Sequence, residues 1–243
     1  MRCLAFALGL ALALGPAAAL AGPPFLTDDP EPTDTGHWEI YAPEFQTGGG
    51  GTDFDGTFGA EINYGAAPGV QVTLDLPLAF SHDSAGTRWG AGDIAASVKY
   101  RFYRSEATGF SIAAFPGVTL PTASNGMGAG RVTALLPVWA QKDAGPWSVF
   151  GGGGYAVNPG SGNRDYWTGG VAVTREVGKR LLLGTEIDRQ GADTIGGRAS
   201  TSAGVGAILD LQGPLRLLAS GGPTWTDGGG SGFHAFAALG LDF

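Results

Sequence analysis

Eight charged residues stand where paired charges could act on a passing solute: Asp75, Asp93, Lys99, Arg101, Arg131, Glu186, Asp188 and Arg216. Each lies in or beside a stretch of alternating polar and apolar residues, so its side chain shares a face with other polar groups. Carboxylates set against a Lys99, Arg101 and Arg131 cluster would create a transverse field that sorts small charged or dipolar molecules. The alternative is a network of salt bridges and hydrogen bonds that fills an interior and holds it rigid. The same parity places Glu39, Asp55, Glu61, Asn63 and His234 on the inward side.

Catalytic chemistry has less to draw on. The histidines are His37, His82 and His234, and His82 lies two residues from Ser84 with Asp83 between them. A Ser–His pair also needs a group that orients the imidazole and an oxyanion site, and no motif supplies either. A solvated turn is the plainer reading, and no enzyme is expected. No phosphate-binding loop, paired-His spacing or glycosidase carboxylate pattern is visible. The acidic pieces Thr27-Asp28-Asp29 and Asp53-Phe54-Asp55 lack EF-hand spacing, so neither metal nor cofactor is expected.

The elements that must position these residues are strands. From Val70 to Phe80 the chain alternates without a break, with Val70, Val72, Leu74, Leu76, Leu78 and Phe80 opposite Gln71, Thr73 and Asp75. The pattern returns from Asp93 to Tyr103, where Ile94, Ala96, Val98, Tyr100 and Phe102 form the apolar side. Reading such stretches against Gly, Pro, Asn and Asp breaks gives twelve segments: 37–46, 53–64, 69–81, 90–103, 109–120, 129–142, 146–156, 164–176, 180–189, 197–210, 214–224 and 232–243. Most are long enough for a tilted crossing of about 10 residues. Even-numbered segments end in tight turns such as Asp143-Ala144-Gly145 and Val177-Gly178-Lys179. Odd-numbered ones end in longer breaks, including Gly48–Gly51, His82–Trp89 and Thr122–Gly128. Short turns at one end, longer loops at the other and an even strand count predict an all-β fold. It is a single transmembrane antiparallel up-and-down β-barrel of about twelve strands.

Residues 1–21 read as a secretory signal peptide, with Arg2 in the n-region, an apolar Leu4–Leu14 and the A-x-A site Ala19-Leu20-Ala21. Removing them takes away Cys3, hence any disulfide, thiolate metal site or lipid anchor. It also leaves 13 basic and 22 acidic residues, a net charge of −9 that argues against a nucleic-acid partner. Residues 22–35 carry Pro23, Pro24, Pro30 and Pro32 among acids. They read as a periplasmic segment outside the barrel, with a plug folded into the lumen as the alternative. The barrel itself takes 36–243. The 44 glycines, 15% charged residues and mean hydropathy of +0.07 suit a barrel with apolar side chains at every second position. A soluble sandwich of similar size would carry more exposed charge.

The last strand ends on Phe243 with Phe233, Ala235, Ala237, Leu239 and Leu241 on its face, the form of ending read by the barrel-assembly machinery of Gram-negative cells. Trp38, Phe54, Phe58, Tyr64, Tyr100, Phe102 and Trp147 lie near segment ends, as interfacial girdles require; a stacking track for an aromatic solute is the sharper alternative.

Several pieces together resemble the outer-membrane β-barrel porins and transporters grouped with the protein of the meta pathway of phenol degradation. They are Pro24-Phe25-Leu26-Thr27-Asp28-Asp29-Pro30, Gly36-His37-Trp38-Glu39, Gly92-Asp93-Ile94 through Lys99-Tyr100-Arg101-Phe102, and Leu120-Pro121-Thr122, where Ala123 follows in place of the glycine of a usual Pro-Thr-Gly turn. The resemblance implies passage of small, often hydrophobic or aromatic compounds. The expectation is therefore an outer-membrane channel or facilitator for passive transport, with outer-membrane lipid and lipopolysaccharide around it and a small-molecule solute within. A closed structural barrel acting through its external loops is the runner-up, and a lipid-modifying barrel enzyme the third reading.

Overall fold

The structure, a computed structural model, describes residues 24–243; the expected signal peptide lies outside the described residues. Fourteen strands follow one another: β1 (Trp38–Gly50), β2 (Asp53–Ala67), β3 (Val70–Asp83), β4 (Gly86–Ala91), β5 (Ile94–Ser105), β6 (Phe110–Ala114), β7 (Gly117–Leu120), β8 (Thr133–Ala144), β9 (Trp147–Val157), β10 (Tyr166–Val177), β11 (Leu181–Gln190), β12 (Ser200–Asp210), β13 (Leu215–Thr226) and β14 (Ser231–Asp242). All pair antiparallel, and β1 pairs with β14 from Glu39↔Asp242 to Gly49↔Phe233, which closes the sheet into a barrel. Trp38 and Phe243 exchange two backbone hydrogen bonds, 2.7 and 3.0 Å, at the seam. Closure pairs every strand on both sides except β4, which has β3 on one side and the 121–132 loop on the other, so the crossings have the paired backbone that lipid requires.

Twelve crossings result because two strands are each interrupted once. β4 and β5 both pair with β3 and form one crossing, broken at Gly92-Asp93; β6 and β7 form the next, broken at Phe115-Pro116. Prolines explain both breaks, since none can donate to the ladder. Pro77 stands in β3 between the stretches that pair with β4 and β5, and its carbonyl accepts from Gly92 N–H at 2.9 Å. Pro116 and Pro137 do the same around β7 and β8, with Phe115 N–H donating to the Pro137 carbonyl at 3.1 Å.

The alternation read from sequence sets the two faces. Val72, Leu74, Leu76 and Leu78 of β3 are exposed on the outside, while Gln71 and Thr73 are buried within. Aromatic rings cluster towards both ends of the outer face. Trp38 and Tyr64 lie 4.5 Å apart at the end carrying the termini, and Phe45, Phe54, Phe80 and Trp89 stack across neighbouring strands near the other. These are the girdles expected at the two interfaces of a membrane-spanning barrel, and in bacterial barrels the end with the short turns faces the periplasm. The short turns gather there: Gly145 opens the two-residue loop between β8 and β9 at a φ of +60°, a conformation glycine adopts without strain.

Two expected long external loops are instead strand. β1 and β2 run on through the glycines to a Gly51-Thr52 turn, and β3 and β4 meet at Ser84-Ala85. Cross-strand pairs such as Phe54↔His82 and Phe80↔Trp89 keep these hairpins paired beyond the expected breaks.

Candidate functional site: the lumen and its inner segment

Residues 24–35 run inside the barrel. The expectation of a periplasmic segment is corrected here, and the reason is charge complementarity between its acids and the cations on the inner wall. The chain enters at the periplasmic rim, where Thr35 bridges to Gly65 and Thr33 N–H donates to the Gln71 side-chain oxygen at 2.7 Å. Glu31 pairs with Arg101 and, at 3.6 Å, with Arg104. Lys99 Nζ then binds Asp28 at 3.0 Å and Asp29 at 3.8 Å, while resting 4.8 Å from the Phe115 ring centre. On the far side, both oxygens of Glu186 are taken by backbone amides: Leu26 N–H at 3.0 Å and Thr27 N–H at 2.9 Å. Lys99 lies on β5 and Glu186 on β11, nearly opposite in the ring of strands, so residues 26–29 cross the lumen from wall to wall.

Glycines make the room. Phe25 sits against β11 and β12, where a Cβ on Gly184 or Gly206 would overlap its ring, and meets the Phe150 ring edge-on at 6.1 Å. A Cβ on Gly170 would strike the Thr27 hydroxyl. Thr27 and Asp29 are fully buried. Burial pushes the Asp29 carboxyl up to about 8, and Asp28 adds to the rise while Lys99 opposes it.

The segment leaves three spaces. One, about 530 Å³, lies between it and β1, β2 and β14, lined by Glu44, Asp55, Glu61 and His234 among others. A second, about 680 Å³, opens on the β7–β11 side towards the external end, with Leu135, Trp139 and Asp188 in its wall. The third, about 510 Å³, lies below it towards the periplasm, lined by Arg104, Asp143 and Glu176. Leu26, Asp28 and Phe115 belong to the walls of both upper spaces.

The anticipated site residues therefore divide. Lys99, Arg101 and Glu186 hold the inner segment. Arg216 is inside but near the periplasmic rim, bound to Glu39 at 3.2 Å and to Asp242. Asp75 is half-buried and directly opposite Glu61 on β2, and Asp188 faces the larger external space. Two residues depart from the expected cluster. Asp93 accepts from Ala123 N–H at 2.9 Å and Ala129 N–H at 2.7 Å, because the break before β5 turns its carboxylate towards the 121–132 loop. Arg131 lies before β8, exposed in that loop and over Gly160, so it does not join Lys99 and Arg101. Glu39, Asp55, Glu61, Asn63 and His234 line the first space as parity requires.

Sequence reasoning missed Asp28, Asp29 and Glu31 as lumen residues, although their acids match Lys99, Arg101 and Arg104 in number. It also missed Glu44. The bulge in β1 between Tyr41 and Glu44, at Ala42-Pro43, switches the inward side from odd to even numbers, so Glu39 and Tyr41 are followed inside by Glu44 and Gln46. His82 faces outward, its Nδ1 2.8 Å from the Thr87 hydroxyl and its ring stacked on Phe54 at 4.7 Å.

No family model and no curated protein matches the sequence. Solved structures do match the fold. The COG4313 outer membrane channel from Pseudomonas putida F1 superposes with a TM-score of 0.66 at 14% identity, over 86% of this chain and 96% of that one. The KdgM porin, solved in complex with disordered oligogalacturonate, superposes with a TM-score of 0.57 at 9% identity, over 85% of this chain and 99% of that one. At such identities the likeness is one of fold. It carries the closed antiparallel barrel alone, and not the narrower link to the phenol-pathway family.

Proposed function

We propose that this outer-membrane barrel is a channel for small solutes, closed at rest by its own residues 24–35. The observation that carries this reading is the manner of closure. The segment is held across the lumen by Glu186, Lys99 and Arg101 through hydrogen bonds and ion pairs, with spaces of about 680 and 510 Å³ left above and below it. A barrel filled for rigidity alone would pack the lumen with side chains, as eight-stranded barrels do. Twelve strands enclose more than this segment occupies.

Hydrophobic or aromatic solutes, the class implied by the resemblance of the opening residues to the phenol-pathway family, are supported by Leu26, Phe115, Leu135 and Trp139 in the wall of the larger external space. A non-enzymatic role is supported by His82, whose Nδ1 and ring face are both engaged away from Ser84. The closed state equally favours the second reading, a structural barrel that works through its external loops.

Single-channel recording of the refolded mature protein separates the two. The channel reading expects rare, brief openings in the natural protein and frequent ones when residues 24–35 are deleted. A silent, correctly folded deletion variant would leave the structural barrel.

A further inference from the structure

The space of about 530 Å³ beside β1 and β2 has an uneven balance of charge. Glu44, Asp55 and Glu61 all contribute to its wall, and none of them takes part in an ion pair among the described residues. Lys99, the Lys or Arg on that wall, is already bound by Asp28 and Asp29. Glu61 also stands directly across from Asp75, a like-charge cross-strand pair that disfavours the sheet.

Glu44 is the decisive residue. It is only 5% exposed, its Oε1 accepts from the Gln46 side-chain amide, and its Oε2 has no partner at all. A buried carboxylate oxygen without a donor is rare because losing its hydration is costly. In the same wall, on the neighbouring strand β14, the Nε2 of His234 is likewise without a partner. Phe25 and Leu26 of the inner segment, with Phe115 and Phe236 of the wall, give the space an apolar lining next to these acids.

From this arrangement we infer that the space is a binding site for a small organic cation, an ammonium or guanidinium joined to an apolar or aromatic body. The cation hydrogen-bonds to the carboxylates that line the space and neutralises Glu44 and Glu61, and the apolar body lies against Phe25 and Phe236. Charge-assisted hydrogen bonds of this kind are the strong ones, and several carboxylates around one site select sign as well as shape. The inference rests on the lumen being the solute route, since it names the class of molecule that the route retains.

Calorimetric titration of the refolded mature protein in detergent tests it with three probes of one shape: phenethylammonium, phenylacetate and neutral 2-phenylethanol. The expected result is saturable binding of phenethylammonium at least about tenfold tighter than either other probe, with the preference lost in the Glu44→Gln/Glu61→Gln double variant. Equal binding of all three probes would overturn the inference, as would a cation preference unchanged in a double variant that still shows the heat-modifiable mobility of a folded barrel. If that variant does not fold, Asp55→Asn, at the exposed end of β2, takes its place with the same two readings. Binding is measured without conductance, so the two proposals fail separately. Cation-selective binding in a barrel that never conducts supports the site and removes the channel; conductance without such binding removes the site and keeps the channel.

Discussion

Lys99 and Glu186 stand on opposite walls of the barrel and never touch, because four residues of the same chain lie between them and satisfy both. Asp28 and Asp29 meet the ammonium, and the amides of Leu26 and Thr27 meet the carboxylate. Closure of the lumen is thus a pair of polar clamps joined by a short stretch of backbone.

Lys99→Ala leaves the Asp28 carboxylate inside without its cation and Asp29 without its donor. Removing one partner of a buried pair costs about 3 kcal/mol, and a loss of that size moves the equilibrium between the inside and released positions by about a hundredfold. Open probability in a planar bilayer should rise accordingly, with heat-modifiable mobility unchanged. Unaltered gating would show that the clamp does not hold the segment.

Gly184→Val should expel the Phe25 ring, since even a Cβ at that position overlaps it. Combining the change with Phe25→Ala should restore part of the closure, because the ring is the nearest group the new side chain strikes, with the Thr174 methyl the other. The readout is protease cleavage within residues 24–35 from the periplasmic side of reconstituted vesicles: fast in the single variant, slow again in the double.

Closure should depend on pH. With the Asp29 carboxyl raised to about 8 inside, against an ordinary 3.8, the inside position keeps a proton that the solvated, released position loses across that interval. The inside form binds more protons, so raising the pH draws the segment out and acid holds it in. Lys99, Asp28, Glu39 and Asp143 all bear on this carboxyl, and other lumen carboxylates titrate as well. Asp29→Asn isolates its share: open probability measured against pH should rise less steeply in the variant.

Asp93→Ala should loosen the 121–132 loop and leave ion selectivity alone. The change strips a charged acceptor from the amides of Ala123 and Ala129, worth about 2 kcal/mol for each bond. Faster cleavage of the loop by external protease, with an unchanged reversal potential, is the expected pair of results. A shifted reversal potential would return Asp93 to the solute path.

The strands were legible because a two-residue period is a local property: Val72, Leu74 and Leu76 declare the lipid face with no knowledge of their partners. The inner charges were legible to the same extent, and parity alone placed Lys99, Glu186 and Arg216 inside. Parity failed for Glu44, where the β1 bulge reverses it, and at Asp93, where the strand is interrupted. The segment from Pro24 to Thr35 was harder, because its prolines correctly ruled out a strand but said nothing about position. Its partners Lys99, Glu186 and Ser220 lie about seventy to two hundred residues away, and only the closed barrel brings them near.

The peptide that closes the lumen is continuous with β1 through Thr35 and Gly36. It therefore behaves as a tethered ligand, with an effective concentration fixed by the few residues of its leash. Dilution cannot wash it out, no second copy is needed to shut the barrel, and shutting is first-order in time. Free peptide of the same sequence, added to a variant lacking the segment, would have to reach about millimolar levels to do the same work.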